Sequence, residues 1–419
     1  MSGMSGKHQQ VYIRMSYKIR KLEIKTRKQG LDEFNRIGAT IQGQRIMVNK
    51  IFPLILKVKD INPRAAEILK QEMLSRMGDV VTSRDSLILK DGSTDVIILG
   101  SGKSIKSLIE KLKIQPFGLK KLAEEISGYL DLISKSKSKR TISISDRIFD
   151  LDNEGALIMG ILNITPDSFH DGGKYFSKKE AIEHAEMMIK EGAHIIDVGG
   201  MSTRPGSKPI TVGEEIERVI PAIRHIAKKQ DVMISIDTCR SEVAKKAIES
   251  GADIINDISG MAFDGGMVKL AAESGSSVVI MHMQGTPENM QDNPTYDDVV
   301  DEIYSFLYER ASKSIEAGIS NEKIIIDPGI GFGKKPEHNL EILARLADFT
   351  NMGFPVLVGT SRKSFIGNLL GDVPTEERLE GSIASAVHAY LSGAGILRVH
   401  DVSQTVKAIK IVKSIGDYV

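Results

Sequence analysis

The fold class predicted by this 419-residue chain is α/β: a (β/α)8 TIM barrel preceded by a small α/β N-terminal domain. Three observations carry that prediction. Between Leu157 and His400, eight short apolar runs alternate with helix-like stretches, the pattern of parallel strands joined by right-handed crossovers. The runs end in residues suited to a ligand: Asn163, Asp197, Asp237, Asn256, His282, Asp327, the triplet Ser361-Arg362-Lys363, and His400. A barrel interior must be apolar to pack, so polar groups at strand ends mark the face that carries the site. Finally, the chain is too long for one barrel of roughly 250 residues, and a second unit is expected.

Composition excludes several classes. With 41% hydrophobic and 26% charged residues the chain can build an ordinary soluble core. A formal net charge of +1 argues against a chain-wide nucleic-acid or membrane surface. No run approaches the roughly 18 apolar residues of a membrane span. MSGMSGKHQQ at the start lacks the apolar stretch of a secretory signal. The single cysteine, Cys239, rules out an intramolecular disulfide framework and suits a reducing compartment. A cytoplasmic enzyme is expected.

The elements follow in order. Residues 1–133 read as a small basic α/β accessory domain to which no activity attaches. Arg14 to Lys59 is rich in lysine and arginine, and strands at LILKV and DVIIL alternate with helices from about Pro63 to Met77 and Ser104 to Lys113. The basic bias reads as a solvated face in preference to a nucleic-acid surface. GSGKS at Gly100–Ser104 sits between strand and helix as a P-loop does, but Ile97 stands where that loop needs a glycine, so nucleotide binding is not expected. Residues 134–146, SKSKSKRTISISD, read as a solvated linker. Residues 147–419 form the barrel, the catalytic domain. Its first segment, FDLDNEGALIMG, is expected to make two short strands about the turn Asp152–Gly155, a hairpin able to plug the barrel bottom. A capping box at Ser177 and a stop at Gly192 bound one helix, and Ser241–Gly251 repeats the device. Asp297–Gly318, Pro336–Phe349, Leu379–Gly393 and Ser403–Ile415 supply later helices.

The polar strand ends specify the chemistry. Asp237, Asn256 and Asp327 end strands three, four and six and should point into one cavity. Two carboxylates and an amide demand a ligand rich in N–H donors, because an unpaired buried carboxylate costs several kcal/mol. A fused amino-pyrimidinone supplies such donors. Taken singly, each could cap the helix that follows, and Asp257 fits that plainer role. Arg204, Lys363, Arg398 and His400 lie on loops after strands two, seven and eight, where this fold often binds phosphate and arginine grips phosphate oxygens bidentately. Surface solvation explains Arg362 but not Arg398, which interrupts the apolar run GILRVH. The ligand is thus donor-rich at one end and anionic at the other. Two glycine-containing loops, NITPDSFHDGGKYF and GGMSTRPGSKP, have the length of lids or clamps and carry Asp167, Asp171 and Phe169. Asn163 offers a neutral oxygen to a magnesium held mainly by pyrophosphate and water. Cys239 reads as a small packed side chain. His282 fits a ligand contact and a support for the strand end equally.

The segments MGILNITPDSFHDGG, DVGGMSTRPGS, SIDTCRSEVA, NDISG, VVIMHMQGTPENMQDNP, DPGIGFGK, VGTSRKSFIG and RVHDV resemble, in order, those of the dihydropteroate synthases, over about residues 148–419. The resemblance implies a transferase of folate biosynthesis. It would join 4-aminobenzoate to 6-hydroxymethyl-7,8-dihydropterin pyrophosphate with loss of pyrophosphate, using Mg2+ as cofactor, in a homodimer. By motif, Thr203, Asp237, Asn256, Asp327 and Lys363 would hold the pterin. Asn163, Arg204, Arg398 and His400 would hold the pyrophosphate, with Asn163 on the metal. Phe169, Pro205, Phe332, Lys363 and Ser364 would shape the aminobenzoate site. Asp237, Asp327, Lys363, Arg398 and His400 would carry the chemistry. Two departures touch the loops: His170 stands where serine is usual, and Met201 where glutamate is usual.

Two other readings bear on the same residues. A pterin-dependent methyltransferase would share the Asp/Asn pocket but has no anion to expel, and SRKS and RVHD argue against it. A non-catalytic pterin-binding protein with a nucleic-acid-binding N-terminal domain is the other.

Overall fold

The computed structural model describes residues 17, 19–87, 92–138, 140–164, 174–201, 210–229 and 231–417. They form two compact units, divided between Gly128 and Tyr129.

The first unit holds an antiparallel sheet of three strands, β1 (Leu54–Ile61), β2 (Asp79–Thr82) and β3 (Thr94–Gly100), in the order β1-β3-β2. Alternation places Leu56, Val80, Val96 and Ile98 on its buried face, with the helices Pro63–Leu74 and Gly102–Leu112 packed on the sheet. β2 is too short and too mixed to be read from sequence. The basic stretch before β1 contains the helices Arg27–Arg36 and Ile41–Ile51, capped by Thr26 and Thr40. GSGKS opens the helix after β3 with Ser101 as a plain N-cap on the Ser104 N–H.

The second unit begins with a hairpin, β4 (Thr141–Ile144) and β5 (Arg147–Asp150). The barrel strands follow: β6 (Leu157–Asn163), β7 (Ile195–Gly199), β8 (Met233–Asp237), β9 (Ile254–Asp257), β10 (Ser277–Met281), β11 (Ile324–Asp327), β12 (Leu357–Val358) and β13 (Ile396–Val399). All neighbours are parallel, in the order β11-β10-β9-β8-β7-β6-β13-β12. A parallel bridge between Ile326 and Val356 joins β11 to the approach of β12 and closes the ring.

Two local expectations are corrected. The hairpin turns at Ser145-Asp146, not at Asp152–Gly155. Asp150 caps a single helical turn, Leu151–Glu154, which Gly155 ends at φ +84°. The supposed linker 134–146 holds the end of the helix Leu119–Ser138 and the whole of β4. Composition misled because TISIS alternates, so half of a polar-looking strand points inward: Ile142 and Ile144 are fully buried.

Helix starts also differ from expectation. The helix expected from Ser177 already runs from Lys174, so Ser177 lies inside it. At Ser241 the cap comes from a distant residue, Asp264, whose Oδ2 accepts the Ser241 N–H at 2.7 Å. The helix Val212–Ile226, missed in the sequence, carries a true capping box between Thr211 and Glu214.

Alternation sorts the barrel interior into layers. Leu157, Ile195, Met233, Ile254, Ile325 and Ile396 form the lower layer, and Ile142, Ile144 and Leu151 of the plug pack against it. Two residues further along the same strands, the inward positions are Asp197, Ser235, Asn256, Asp327 and Arg398. A plug is therefore present, but it is built by β4, β5 and Leu151 and not by the hairpin expected about Asp152–Gly155, and the polar residues lie above it.

Candidate active site

Arg398 occupies the centre of the upper layer. Its Nε donates to Asp197 Oδ2 at 2.6 Å and its Nη2 to Asp237 Oδ2 at 2.8 Å. Asp197 is fully buried and also accepts from Asn256 Nδ2, at 3.3 and 3.2 Å to its two oxygens. Strands β7, β8, β9 and β13 thus contribute one side chain each to a single charge-assisted network. Asp197 was noted in the sequence as a strand end but given no role. Its place two residues after the inward-facing Ile195 was the available signal.

Opposite lie the residues of β11 and the loop after it. Asp327 Oδ1 accepts the Gly329 N–H at 2.7 Å. Gly329 has φ +69°, and a Cβ there would lie 1.9 Å from the His282 carbonyl oxygen, so the turn requires glycine. Lys363 Nζ donates to the carbonyl oxygen of Ile330 and sits 4.6 Å from the centre of the Phe332 ring. Lys363 and Phe332, both expected to shape the aminobenzoate site, are neighbours. Ser364 opens the helix Ser364–Leu369 and is exposed.

Burial dominates the electrostatics. It pushes the Asp237 carboxyl up to about 7 against the opposing pull of Arg398, and the adjacent Asp197 adds to the rise. Asp327 is raised by burial and drawn back by Lys363 and the Gly329 N–H. Lys363 is pushed down to about 8 by burial, with Asp327 resisting. Asp237 and Lys363 therefore titrate near neutrality, where small changes on binding alter their charge.

His282 has a structural role. Its ring meets Phe306 edge-on at 5.0 Å, and its Nδ1 lies 3.0 Å from Nζ of the buried Lys334, which also donates to the carbonyls of His282 and Phe332. Burial and Lys334 press His282 down to about 2, so it stays neutral. Lys334 is a member that sequence reading missed. Arg362, read as a solvated residue, instead pairs with Asp401 at 3.0 and 2.6 Å. Asp257, expected to cap the following helix, instead accepts from the N–H and Oγ of Ser259 in a local turn; the helix Met267–Ser274 has Gly266 at its N-cap. Cys239 is raised by burial and by Asp257, which makes it a poor nucleophile.

Asn163 ends β6 half-buried. A Cβ on Gly199 would lie 3.4 Å from Asn163 Oδ1 and 3.9 Å from Asp237 Oδ2, so the missing side chain leaves space beside both oxygens. Among the described residues, no three His, Cys, Asp or Glu side chains are grouped to hold a metal ion. Phe169, Thr203, Arg204 and Pro205 lie outside the described residues, as do Asp167, His170 and Asp171.

A closed eight-stranded barrel with this polar floor at its C-terminal mouth defines a small-molecule enzyme of the (β/α)8 class. Residues 159–400 match the family described as pterin binding enzyme. The dihydropteroate synthase of Escherichia coli K12 is 50% identical over 264 residues, which cover 63% of this chain and 93% of that one. A probable bifunctional folylpolyglutamate synthase/dihydropteroate synthase of Haloferax volcanii is 38% identical over 357 residues, 84% of this chain and 42% of its own. That length exceeds the unit starting at Tyr129, so the likeness extends into the first unit. A Xanthomonas albilineans dihydropteroate synthase solved with 4-aminobenzoic acid superposes with a TM-score of 0.62 at 40% identity, over 66% of this chain and 98% of that one. The chain belongs to the pterin-binding enzymes, and among them to the dihydropteroate synthases.

Among the described residues, no helix is long and apolar enough to cross a membrane.

Proposed function

We propose that this chain condenses 6-hydroxymethyl-7,8-dihydropterin pyrophosphate with 4-aminobenzoate to give 7,8-dihydropteroate, with the roles assigned as follows. The observation that carries the assignment is the Arg398 guanidinium set between the carboxylates of Asp197 and Asp237. Acceptors surround the cavity floor, and a cation stands where the floor meets the mouth.

Asp237, Asn256 and Asp327 take the N–H groups of the pterin, and Lys363 lies over its edge. Thr203 completes the pterin set. Arg398, His400, Arg204 and Asn163 take the pyrophosphate. The bond from the exocyclic methylene to the pyrophosphate oxygen breaks, and the leaving group departs with the electron pair. The methylene carbon, its charge delocalised into the pterin ring, accepts the lone pair of the aromatic amine. The amine then loses one proton. Ionised Asp237 and Asp327 stabilise positive charge on the ring, and the cations stabilise the departing anion. Phe332, Lys363 and Ser364, with Phe169 and Pro205, shape the aminobenzoate site.

Mg2+ fits this arrangement. The space beside Asn163 Oδ1 at Gly199 suits an oxygen-bound ion whose remaining ligands are water and pyrophosphate. When bound, it neutralises the charge developing on the leaving group. A homodimer in the cytoplasm completes the proposal, and sedimentation would test the oligomeric state.

The deciding experiment mixes purified protein with the pterin pyrophosphate, Mg2+ and 4-aminobenzoate. Dihydropteroate and pyrophosphate should appear in equal amounts. No product from folded protein would overturn the proposal.

A further inference from the structure

Lys363 reaches its place along a narrow path. Its Nζ donates to the carbonyl oxygen of Ile330 and stands 4.6 Å from the centre of the Phe332 ring. A Cβ on Gly331 would lie 2.9 Å from Lys363 Cδ, so the lysine stem passes close against the backbone of that loop. A side chain held at its tip in this way needs the right direction at its root. That root is the last residue of a turn. The Lys363 N–H donates to the Thr360 carbonyl at 3.2 Å and closes the four residues from Thr360 to Lys363. Of the two central residues only Arg362 has positive φ, +56°. Glycine or asparagine normally fills that position, because a β-carbon there crowds the backbone.

A non-glycine residue persists in the left-handed region only where its surroundings over-determine it. Here the N–H, the carbonyl and the guanidinium of Arg362 are each held. The N–H donates to Ser382 Oγ at 2.8 Å. The carbonyl accepts from Arg378 Nη1 at 3.1 Å, and Arg378 is itself fixed by two bonds to the Val373 carbonyl, at 3.1 and 3.0 Å. The guanidinium forks onto Asp401, with Nε to Oδ2 at 3.0 Å and Nη2 to Oδ1 at 2.6 Å. Asp401 follows β13, and Ser382 lies on the helix Leu379–Leu391, which Arg378 precedes. Two elements distant in the chain thus converge on one strained residue, directly before a lysine of the site.

We infer that Arg362 is a positioning residue: clamped by Asp401, Ser382 and Arg378, it holds the turn in the left-handed form that aims Lys363 at the substrates. This rests on the reading of Lys363 as a pterin and aminobenzoate contact and deepens it. Arg362 acts through Lys363 and touches neither substrate.

The test measures, on the full chain, stability in urea and calorimetric affinity for 6-hydroxymethyl-7,8-dihydropterin. Arg362→Ala keeps the β-carbon but loses the fork, and should bind about tenfold more weakly, the scale of one residue's left-handed strain. Arg362→Gly, for which this φ has no steric cost, should recover most of that affinity and be more stable than Arg362→Ala. Arg362→Lys should not recover it, because an ammonium lacks the fork. Asp401→Ala should resemble Arg362→Ala, and the double variant should be no weaker than either. In the Lys363→Ala background, Arg362→Ala should cause no further loss of affinity. A loss in Lys363→Ala beside wild-type affinity in Arg362→Ala would overturn the inference. So would Arg362→Gly binding no better than Arg362→Ala, because the guanidinium would then act on the ligand itself. Equal losses from Arg362→Ala with and without Lys363 would overturn it too. If Arg362→Gly is more stable than Arg362→Ala but Lys363→Ala binds like wild type, the clamp stands and it is the ligand role of Lys363 that fails.

Discussion

The lower and upper layers of the barrel stand on the same strands, two residues apart, and do opposite things. On β9 the pair is Ile254 and Asn256, on β11 Ile325 and Asp327, and on β13 Ile396 and Arg398. Below, apolar side chains fill the ring and meet the plug. Above, three carboxylates, an amide and two cations gather at the mouth. Burying apolar area stabilises, at about 25 cal/mol per Å², whereas burying charge costs several kcal/mol per ion unless pairing offsets it. The lower layer therefore supplies stability that lets the upper layer hold groups that stability alone would not choose.

The strongest way to break this division is to remove the plug. A chain starting at Arg147 loses β4 and with it Ile142 and Ile144, although every chemical motif is retained. It should lose roughly 5 kcal/mol or more, from two large buried side chains and a strand. A chain starting at Tyr129 keeps the hairpin and should stay folded and active. Urea titration and product assay of the two truncations check this; equal stability would show that the plug is dispensable.

Next comes the cation of the upper layer. Arg398→Met leaves Asp197 and Asp237 without their common cation and should cost about 3–5 kcal/mol of stability. It should also weaken the pyrophosphate-bearing substrate far more than the free hydroxymethyl pterin. Equal loss for both ligands, measured by calorimetry, would make Arg398 a purely structural residue.

Removing a carboxylate should affect binding more than folding. Asp237→Ala and Asp327→Ala should each lose about 1.5–3 kcal/mol of pterin affinity, the worth of a charged hydrogen bond, with circular dichroism unchanged. Wild-type affinity in either variant would defeat the assignment of that residue.

The smallest effect sharpens the contrast through pH. Because the folded pKa of Asp237 is raised above its unfolded value, the folded state binds more protons between about 4 and 7. Its contribution to stability is present in full below the unfolded pKa and is lost as pH rises through about 7. The stability of wild type relative to Asp237→Asn should therefore decline from pH 5 to pH 8. Pterin affinity, which needs the ionised carboxylate, should rise over the same window. A flat difference would mean that Asp237 is ionised throughout. Lower-layer variants such as Ile254→Val should show neither trend.

Much of this was legible in the sequence because a β-strand has a side-chain period of two. An apolar run followed by Asn163, Asp237, Asn256, Asp327 or Arg398 already says which residues point inward at the mouth. What could not be read were pairings between strands far apart in the chain. Asp197 looked like any strand-end acid until β7 was placed near Arg398 of β13, 201 residues away. Lys334, the last residue of DPGIGFGK, was given no role. His282 stayed ambiguous because sequence does not reveal that Phe306 and Lys334 enclose it. The plug was expected, but its turn was misplaced because short polar alternation resembles a linker until one face is buried.

The sequence by itself determined the order of strands and helices, the unit that carries the chemistry, and the residue types at the barrel mouth. Those depend on local periodicity and on spacing along the chain. Tertiary structure alone decided the partners of each charge and the direction of each pKa shift. Burial and distance are properties of the closed ring, and no stretch of neighbouring residues contains them.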